Sequence, residues 1–297
     1  MQKDGIIISN ASNLYIVEDI KTNEIIKCNA RGKFKEQGLT LAVGDYVEYE
    51  VIDEEKNEGV IDTIKDRKNY IKRPKMANLT QIIFVVSMKQ PKPDLLMLDK
   101  QLAFAELNNI KPVICLNKID LVDEESVNKI EKTYSEIGYK IFKTNANEKI
   151  GVDDLKDILD RNITAFSGNS GVGKSTLIND IFDDEITKSG LISEKNQRGK
   201  NTTTSTYLYK INENTYLADT PGFSTFDIGE IASEDLYKYF IEFVKPSENC
   251  EFVGCTHIKE ENCGIKEAVQ EGKISNERYD RFCKIYLDLK ERENRRW

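Results

Sequence analysis

A chain of 297 residues with 39% hydrophobic and 32% charged side chains can build real cores, and at about 100–200 residues per domain it holds two or three of them. No run approaches the roughly 18 apolar residues of a membrane span, and Met1-Gln2-Lys3-Asp4-Gly5 does not open a signal peptide. The net charge of −8 argues against indiscriminate polyanion binding, while six cysteines, three of them clustered beside the single histidine, point to a cytoplasmic protein with a metal site.

Residues 1–72 read as five short strands: Ile6–Ile8, Leu14–Val17, Ile25–Cys28, Tyr46–Val51 and Gly59–Ile64, several alternating apolar with polar. Five strands in so short a stretch predict a small closed β-barrel of the OB type. Val43-Gly44-Asp45 supplies a turn feeding the fourth strand. Arg31-Gly32-Lys33-Phe34-Lys35 places cations around an aromatic, which suits base stacking or, equally, core packing by Phe34.

From residue 73 to 230 strands alternate with helices, which predicts a mostly parallel sheet covered on both faces. The series runs through a strand at Ile82–Val86, a helix at Leu95–Leu107 and a strand at Val113–Leu116. A helix from Glu124 to Ile137 follows, capped by Asp123. Then come Tyr139–Phe142, a helix over Val152–Leu159, and strands at Ile163–Phe166 and Tyr216–Ala218. Ligands of such sheets sit at the carboxyl ends of strands.

Residues 231–297 carry two apolar helical stripes, one of Leu236, Tyr239, Phe240 and Phe243, the other of Tyr279, Phe282, Ile285, Tyr286 and Leu289. Two stretches are basic despite the overall acidity. Lys65, Arg67, Lys68, Lys72, Arg73 and Lys75 form one; Arg278, Arg281, Lys284, Lys290, Arg292, Arg295 and Arg296 form the other. Each suits phosphate contact or a solvated face.

The phosphate loop Gly168-Asn169-Ser170-Gly171-Val172-Gly173-Lys174-Ser175 fits Gly-x4-Gly-Lys-Ser between a strand and a helix. Backbone amides and a helix N-terminus there cradle phosphates. Lys174 reaches the β- and γ-phosphates, the Ser175 hydroxyl ligates Mg²⁺, and Thr176 stands beside it at the nucleotide. Asn117-Lys118-Ile119-Asp120 reads guanine, because Asp120 accepts from ring donors that adenine lacks. Asn117 braces neighbouring loops and the stem of Lys118 lies over the base. Thr144-Asn145-Ala146, one strand later, supplies a further base-contacting loop. Asp219-Thr220-Pro221-Gly222 places Asp219 on Mg²⁺ through water and the Gly222 amide at the γ-phosphate. Between these motifs, Arg198-Gly199-Lys200-Asn201-Thr202-Thr203-Thr204 reads as the first switch, with Thr203 or Thr204 completing the Mg²⁺ shell. Phe223 stands where many GTPases carry a water-orienting glutamine, which predicts slow hydrolysis that a partner accelerates.

Cys250-x4-Cys255-x-His257-x5-Cys263 has the composition of a closed Cys₃His zinc site, which is structural because no coordination position stays open. Cys28, Cys115 and Cys283 read as core or incidental thiols.

In ordinary GTPases the phosphate loop precedes Asn-Lys-x-Asp; here it follows, which marks a circular permutation. With barrel, permuted motifs and Cys/His cluster in this order along nearly the whole chain, the sequence resembles the ribosome small-subunit-dependent GTPase family RsgA, also called YjeQ. The resemblance implies an OB-fold RNA-binding domain at 1–72, a circularly permuted P-loop GTPase at 73–230 and a mainly α zinc-binding domain at 231–297. It implies a bacterial cytoplasmic enzyme, expected as a monomer, that converts GTP to GDP and phosphate. It further implies binding to the 30S subunit and its 16S rRNA late in subunit maturation, with hydrolysis stimulated by the subunit. The family pattern Gly-Arg-His-Thr-Thr departs here to Gly199-Lys200-Asn201-Thr202, and Asn201 cannot exchange protons as imidazole does, which puts a catalytic duty there in doubt. The alternative is a GTP-dependent RNA-binding scaffold with negligible turnover. The second switch runs into the C-terminal region, which suggests that γ-phosphate sensing tilts that region.

Overall fold

The computed structural model describes residues 2–11, 14–189, 206–219 and 227–295. Its strands are β1 (Lys3–Ala11), β2 (Leu14–Asp19), β3 (Ile25–Ala30), β4 (Tyr46–Asp53), β5 (Glu58–Ile64), β6 (Tyr70–Lys72), β7 (Lys75–Ala77), β8 (Gln81–Ser87), β9 (Lys111–Asn117), β10 (Lys140–Thr144), β11 (Ile163–Ser167), β12 (Tyr207–Asn212) and β13 (Thr215–Asp219). The helices are α1 (Lys33–Glu36), α2 (Leu95–Leu107), α3 (Glu124–Ser135), α4 (Val152–Asp157), α5 (Lys174–Ser189), α6 (Ile241–Ser247), α7 (Gly264–Gln270) and α8 (Asn276–Arg295). Two compact units result. One comprises Met1–Ile83, Ala146–Ser167 and Lys174–Phe223; the other comprises Phe84–Asn145, Gly168–Gly173 and Ser224–Trp297.

In the first unit, β1 to β5 pair in the order β1-β2-β3-β5-β4, and β4 returns to β1. That ring is a closed five-stranded barrel with one parallel pair, β3 with β5. Closure removes the exposed edges that short strands would otherwise present. Alternate residues of β3 and β4 point inward, so Ile26, Cys28, Val47 and Tyr49 fill the core. Asp19 is buried among them and is satisfied by the Tyr49 hydroxyl at 2.7 Å and the amides of Lys21 and Thr22. Phe34 on α1 is only 4% exposed, so it packs in the core and does not offer a stacking face. Arg31 and Lys33 on either side are engaged by Asp62 at 2.8 and 3.1 Å.

The barrel is joined within this unit to a sheet in which β11 pairs in parallel with β13, β13 pairs antiparallel with β12, and β12 meets β1 at Ser9 and Tyr207. A buried carboxylate reinforces the seam: Glu18 Oε1 accepts from Lys210 Nζ at 2.5 Å and from the Tyr216 hydroxyl at 2.8 Å. β11 is buried along its whole length, as a strand covered on both faces must be.

In the second unit β8, β9 and β10 lie side by side, β9 and β10 in parallel register. α2 and α3 follow β8 and β9. Asp123 caps α3 by accepting from the Ser126 amide at 2.8 Å, and Asp94 caps α2 in the same manner. The C-terminal elements belong to this unit as well. Phe240, Phe243 and Phe282 form an aromatic core with ring centroids about 5 Å apart.

Two cations of the basic C-terminal stretch, Arg278 and Arg281, are drawn into the packing. Arg278 is 1% exposed and its guanidinium donates to Asp99 Oδ1 at 2.5 Å and to both oxygens of Glu242. Arg281 donates to Asp99 Oδ2 at 2.5 Å, and the Tyr134 hydroxyl donates to Asp99 Oδ1 at 2.7 Å. Arg292 pairs with Asp227, Arg295 with Glu291 and Lys290 with Glu293. Burial alone would lower the Arg278 pKa, but the carboxylates of Asp99 and Glu242 outweigh it and raise it, so the charge is retained. Arg278 and Arg281 clamp α8 to α2 and α3 instead of facing a polyanion. Removing one partner of a buried ion pair strands the other, at a cost of about 3–5 kcal/mol. Arg278→Ala is therefore expected to lower unfolding stability by that amount in equilibrium denaturation; a loss below about 1 kcal/mol would contradict the clamp.

Candidate nucleotide site and metal centre

β9 delivers Asn117 at its carboxyl end, where its side chain is 1% exposed. Its Nδ2 donates to the Val172 carbonyl of the phosphate loop at 2.9 Å, and its Oδ1 accepts from the Thr144 hydroxyl at 3.0 Å. One amide thus ties together three segments that are far apart in sequence. Gly173 sits at φ 101°, and a Cβ there would lie 2.2 Å from Asn117 Nδ2. Any other residue would displace the brace as well as strain the turn.

Lys118 adopts a left-handed conformation, φ 62°, that turns the chain sharply into Ile119 and Asp120. Its ammonium donates to the Gly171 carbonyl at 2.6 Å and to the Gln90 carbonyl, so the stem is laid across toward the phosphate loop. Asp120 is exposed. Thr144 and Asn145 are buried at the end of β10, and Ala146 opens a short 3-10 turn.

The phosphate loop leaves the buried end of β11. Gly168 and Val172 are buried, Asn169 is half-buried, and Ser170 and Gly171 are exposed. Lys174, Ser175 and Thr176 form the first turn of α5. Partial burial pulls the Lys174 ammonium below the ordinary lysine pKa, as expected of a cation placed in a half-dry loop before an anion arrives. In the first unit Ala165 of β11 pairs with Ala218 of β13, so Asp219 stands exposed at the carboxyl end of the strand beside the one that feeds the loop. Asn201, Thr203, Thr204 and Gly222, with Phe223, lie outside the described residues.

Cys250, Cys255, His257 and Cys263 converge, with their ligand atoms all within 4.8 Å of one another. His257 Nδ1 lies 3.5 Å from Cys250 Sγ and 3.5 Å from Cys263 Sγ, and those sulfurs are 3.9 Å apart. Disulfide sulfurs would be about 2.05 Å apart. A tetrahedral ion with Zn–S of about 2.3 Å and Zn–N of about 2.0–2.1 Å has S···S and S···N edges of roughly 3.8 and 3.6 Å. The separations among Cys250, His257 and Cys263 fit three corners of that tetrahedron, with Cys255 close by, and the donor set of thiolates and imidazole is one that zinc favours.

The shell around the cluster is built to hold it. Glu260 accepts from the Thr256 hydroxyl at 2.8 Å and from the amides of Thr256, Ile258 and Lys259. Burial opposes its ionisation, but these donors prevail and hold its carboxyl at about 2. The Tyr279 hydroxyl donates to the His257 carbonyl at 2.7 Å, and the Tyr237 ring stands edge-on to the imidazole at 4.8 Å. Among the described residues, the remaining cysteines are not part of any such cluster. Burial pushes the Cys28 and Cys115 thiols up to about 12, which makes them inert core groups.

Known proteins resemble this chain over nearly its whole length. The profile described as RsgA GTPase matches residues 64–229, and that described as RsgA N-terminal domain matches residues 4–61. A relative from Thermotoga petrophila, named small ribosomal subunit biogenesis GTPase RsgA, is 41% identical over 97% of both chains. One of the same name from Ruminiclostridium cellulolyticum is 40% identical over 97% of this chain and 94% of its own. The crystal structure of YjeQ from Thermotoga maritima superposes with a TM-score of 0.84 at 39% identity, covering 97% of this chain and 99% of that one. YloQ, titled a circularly permuted GTPase, superposes with a TM-score of 0.81 at 32% identity, covering 98% and 96%.

Proposed function

The chain belongs to the RsgA GTPase family, and from that premise we propose that it spends GTP as a timer during late maturation of the small ribosomal subunit. It binds the 30S particle and its 16S rRNA, and the particle accelerates hydrolysis to GDP and phosphate. Residues 1–72 serve as the RNA-binding barrel, 73–230 as the GTPase and 231–297 as the zinc-bearing region. The protein works in the cytoplasm as a monomer; among the described residues no helix is long and apolar enough to cross a membrane.

The observation that carries this reading is the amide of Asn117 bonded to the phosphate-loop carbonyl of Val172, with Lys118 laid toward the same loop. That join puts a guanine reader next to a phosphate cradle. Asp120 accepts from the N1 and N2 donors of guanine, and the Thr144–Ala146 turn lines the base. Residues Gly168 to Ser175, with Thr176, wrap the phosphates. Ser175, Asp219 and Thr204 would hold Mg²⁺, which when bound neutralises charge on the β- and γ-phosphates. Lys174 opposes the charge that develops as the phosphoryl group leaves, and the Gly222 amide senses its departure. With Phe223 and Asn201 in place of a water-positioning glutamine and histidine, the attacking water is oriented only once the ribosomal particle is engaged. Zinc, bound by Cys250, Cys255, His257 and Cys263, would cross-link the C-terminal loops. The scaffold reading with negligible turnover is not favoured, since the similar proteins are named GTPases.

Asp120→Asn tests the base assignment. The amide can accept only one of the two guanine hydrogen bonds and sets its own donor against the other. GTP affinity should fall about 10- to 100-fold. Xanthosine triphosphate, which carries a carbonyl where guanine carries its amino group, should gain by comparison. Titration calorimetry with both nucleotides reads this out, and unchanged preference for GTP would refute the assignment.

A further inference from the structure

β1 is shared between the barrel and the sheet of the same unit. Its Lys3–Ile6 stretch closes the barrel against β4. Past an irregularity between Ile7 and Ser9 it pairs with β12, where Ser9 stands opposite Tyr207. Tyr207 in turn stands opposite Asp219 on β13. Ser9, Tyr207 and Asp219 therefore form one row across three strands. With neighbouring strands about 4.8 Å apart, the residue assigned to Mg²⁺ lies roughly 10 Å from the barrel's own backbone.

A second tie grips the same β12–β13 hairpin further along. Lys210 of β12 and Tyr216 of β13 face each other in register. Both reach one buried barrel carboxylate, Glu18, whose Oε1 accepts from Lys210 Nζ at 2.5 Å and from the Tyr216 hydroxyl at 2.8 Å. Lys210 also donates to Asn23 Oδ1, between β2 and β3, at 2.7 Å. Tyr209 points to the other face of β12 and meets Phe182 of α5 edge-on, with ring centroids 5.4 Å apart. Joining a barrel to a sheet needs no charge, since apolar residues in place of a buried ion pair are often neutral or stabilising. What the pair adds is register. A slip of one residue would turn Lys210 toward the Phe182 face and leave Glu18 buried without its cation.

We propose that Glu18 is a positioning residue for the GTPase: through Lys210 and Tyr216 it fixes the register of the β12–β13 hairpin, and with it the place of Asp219. This rests on the assignment of Asp219 to Mg²⁺ above and names what holds that residue in place. The barrel then supports the magnesium site without touching it. Asp219 is exposed at the end of its strand, so its position is set by the pairing of β13 and not by packing around its side chain. A hairpin free to shift against β1 presents that carboxylate less precisely and holds the ion less well.

The test is Glu18→Met/Lys210→Met in the full-length chain, beside Lys210→Arg, which keeps a cation for Glu18. Two quantities are read: amide hydrogen exchange of the nucleotide-free protein, and the Mg²⁺ concentration that half-saturates GTP turnover. In the methionine variant, exchange over Leu208–Lys210 and Tyr216–Ala218 should quicken about tenfold. Half-saturating Mg²⁺ should rise about fivefold, with a smaller change in maximal turnover. The melting temperature should hold within a few degrees, and Lys210→Arg should match the unmodified protein throughout. A seam that only joins the two parts would leave half-saturation where it was, and that result overturns the proposal. If the methionine variant does not fold, Glu18→Gln decides, because it keeps an acceptor oxygen and removes the charge. It should raise half-saturating Mg²⁺ about two- to threefold, and no change overturns the proposal. An unmodified chain indifferent to Mg²⁺ overturns the Asp219 assignment and the proposal together, whereas a Mg²⁺-dependent chain with unmoved variants overturns the proposal alone.

Discussion

Lys174→Ala is expected to reduce small-subunit-stimulated GTP turnover by at least about 10²–10³-fold, the loss that follows removal of one preorganised charge from a phosphoryl-transfer site. Lys174 opens α5, where the helix dipole already favours an anion, and its partial burial lowers its pKa. The dipole adds to the positive field that an anion meets there, and partial burial leaves the ammonium less screened by water than an exposed lysine. Alanine leaves the loop glycines and the Asn117 brace untouched, so the variant should fold and unfold as the unmodified protein does. Phosphate release at saturating GTP, with circular dichroism as the folding control, reads the effect. Turnover within threefold of the unmodified chain would remove Lys174 from the chemistry.

Loss of the metal should be equally severe, but for stability. Structural zinc in small sites contributes about 10–16 kcal/mol of binding free energy at neutral pH, much of it realised as folding. The loop from Cys250 to Cys263 has little regular structure of its own before α7 begins. Cys255→Ser removes a buried ligand and should abolish stoichiometric zinc while lowering the melting temperature by about 10 °C or more. Metal analysis should find one zinc per unmodified chain and none in the variant. A metal-free unmodified chain with the same melting curve would contradict the structural role. A chelator should reproduce the shift, and added zinc should reverse it.

The clamp around Asp99 bears on how the nucleotide state is transmitted. α8 is locked by Arg278 and Arg281 to α2 and α3, the helices that flank the guanine-reading strand β9. A C-terminal region that tilts on hydrolysis would have to carry the Asn117–Asp120 loop with it or break a buried ion pair. The first course is far less costly. A tilt of the C-terminal elements relative to the barrel, suggested by their position after the second switch, would therefore carry the Asn117–Asp120 loop along.

The sequence was most legible where chemistry demands fixed spacing. The glycines around Lys174, the run Asn117 to Asp120, and the Cys–His cluster each announce themselves because a phosphate, a base edge or a tetrahedral ion tolerates few alternatives. The barrel strands were legible because burial on one face imposes alternation, as in β3 and β4. Other features depended on partners distant in the chain. Arg278 reads as one cation in a basic tail, and only its contacts with Asp99 and Glu242 reveal a core residue. Phe34 was ambiguous because a four-residue helix, not an extended strand, turns it inward. β12 escaped notice because its burial does not alternate; its pairing with β1 and β13 makes it a strand. The β6–β7 hairpin, with strands of only three residues, owes its existence to Val43, Gly44 and Asn78.

Turnover of the intact chain with GTP and with ATP, each with and without purified small ribosomal subunits, tests the central claim most directly. GTP should be hydrolysed slowly alone and many-fold faster with the subunits, and ATP should be ignored in both conditions. Equal use of ATP, or a GTP rate indifferent to the subunits, would contradict it.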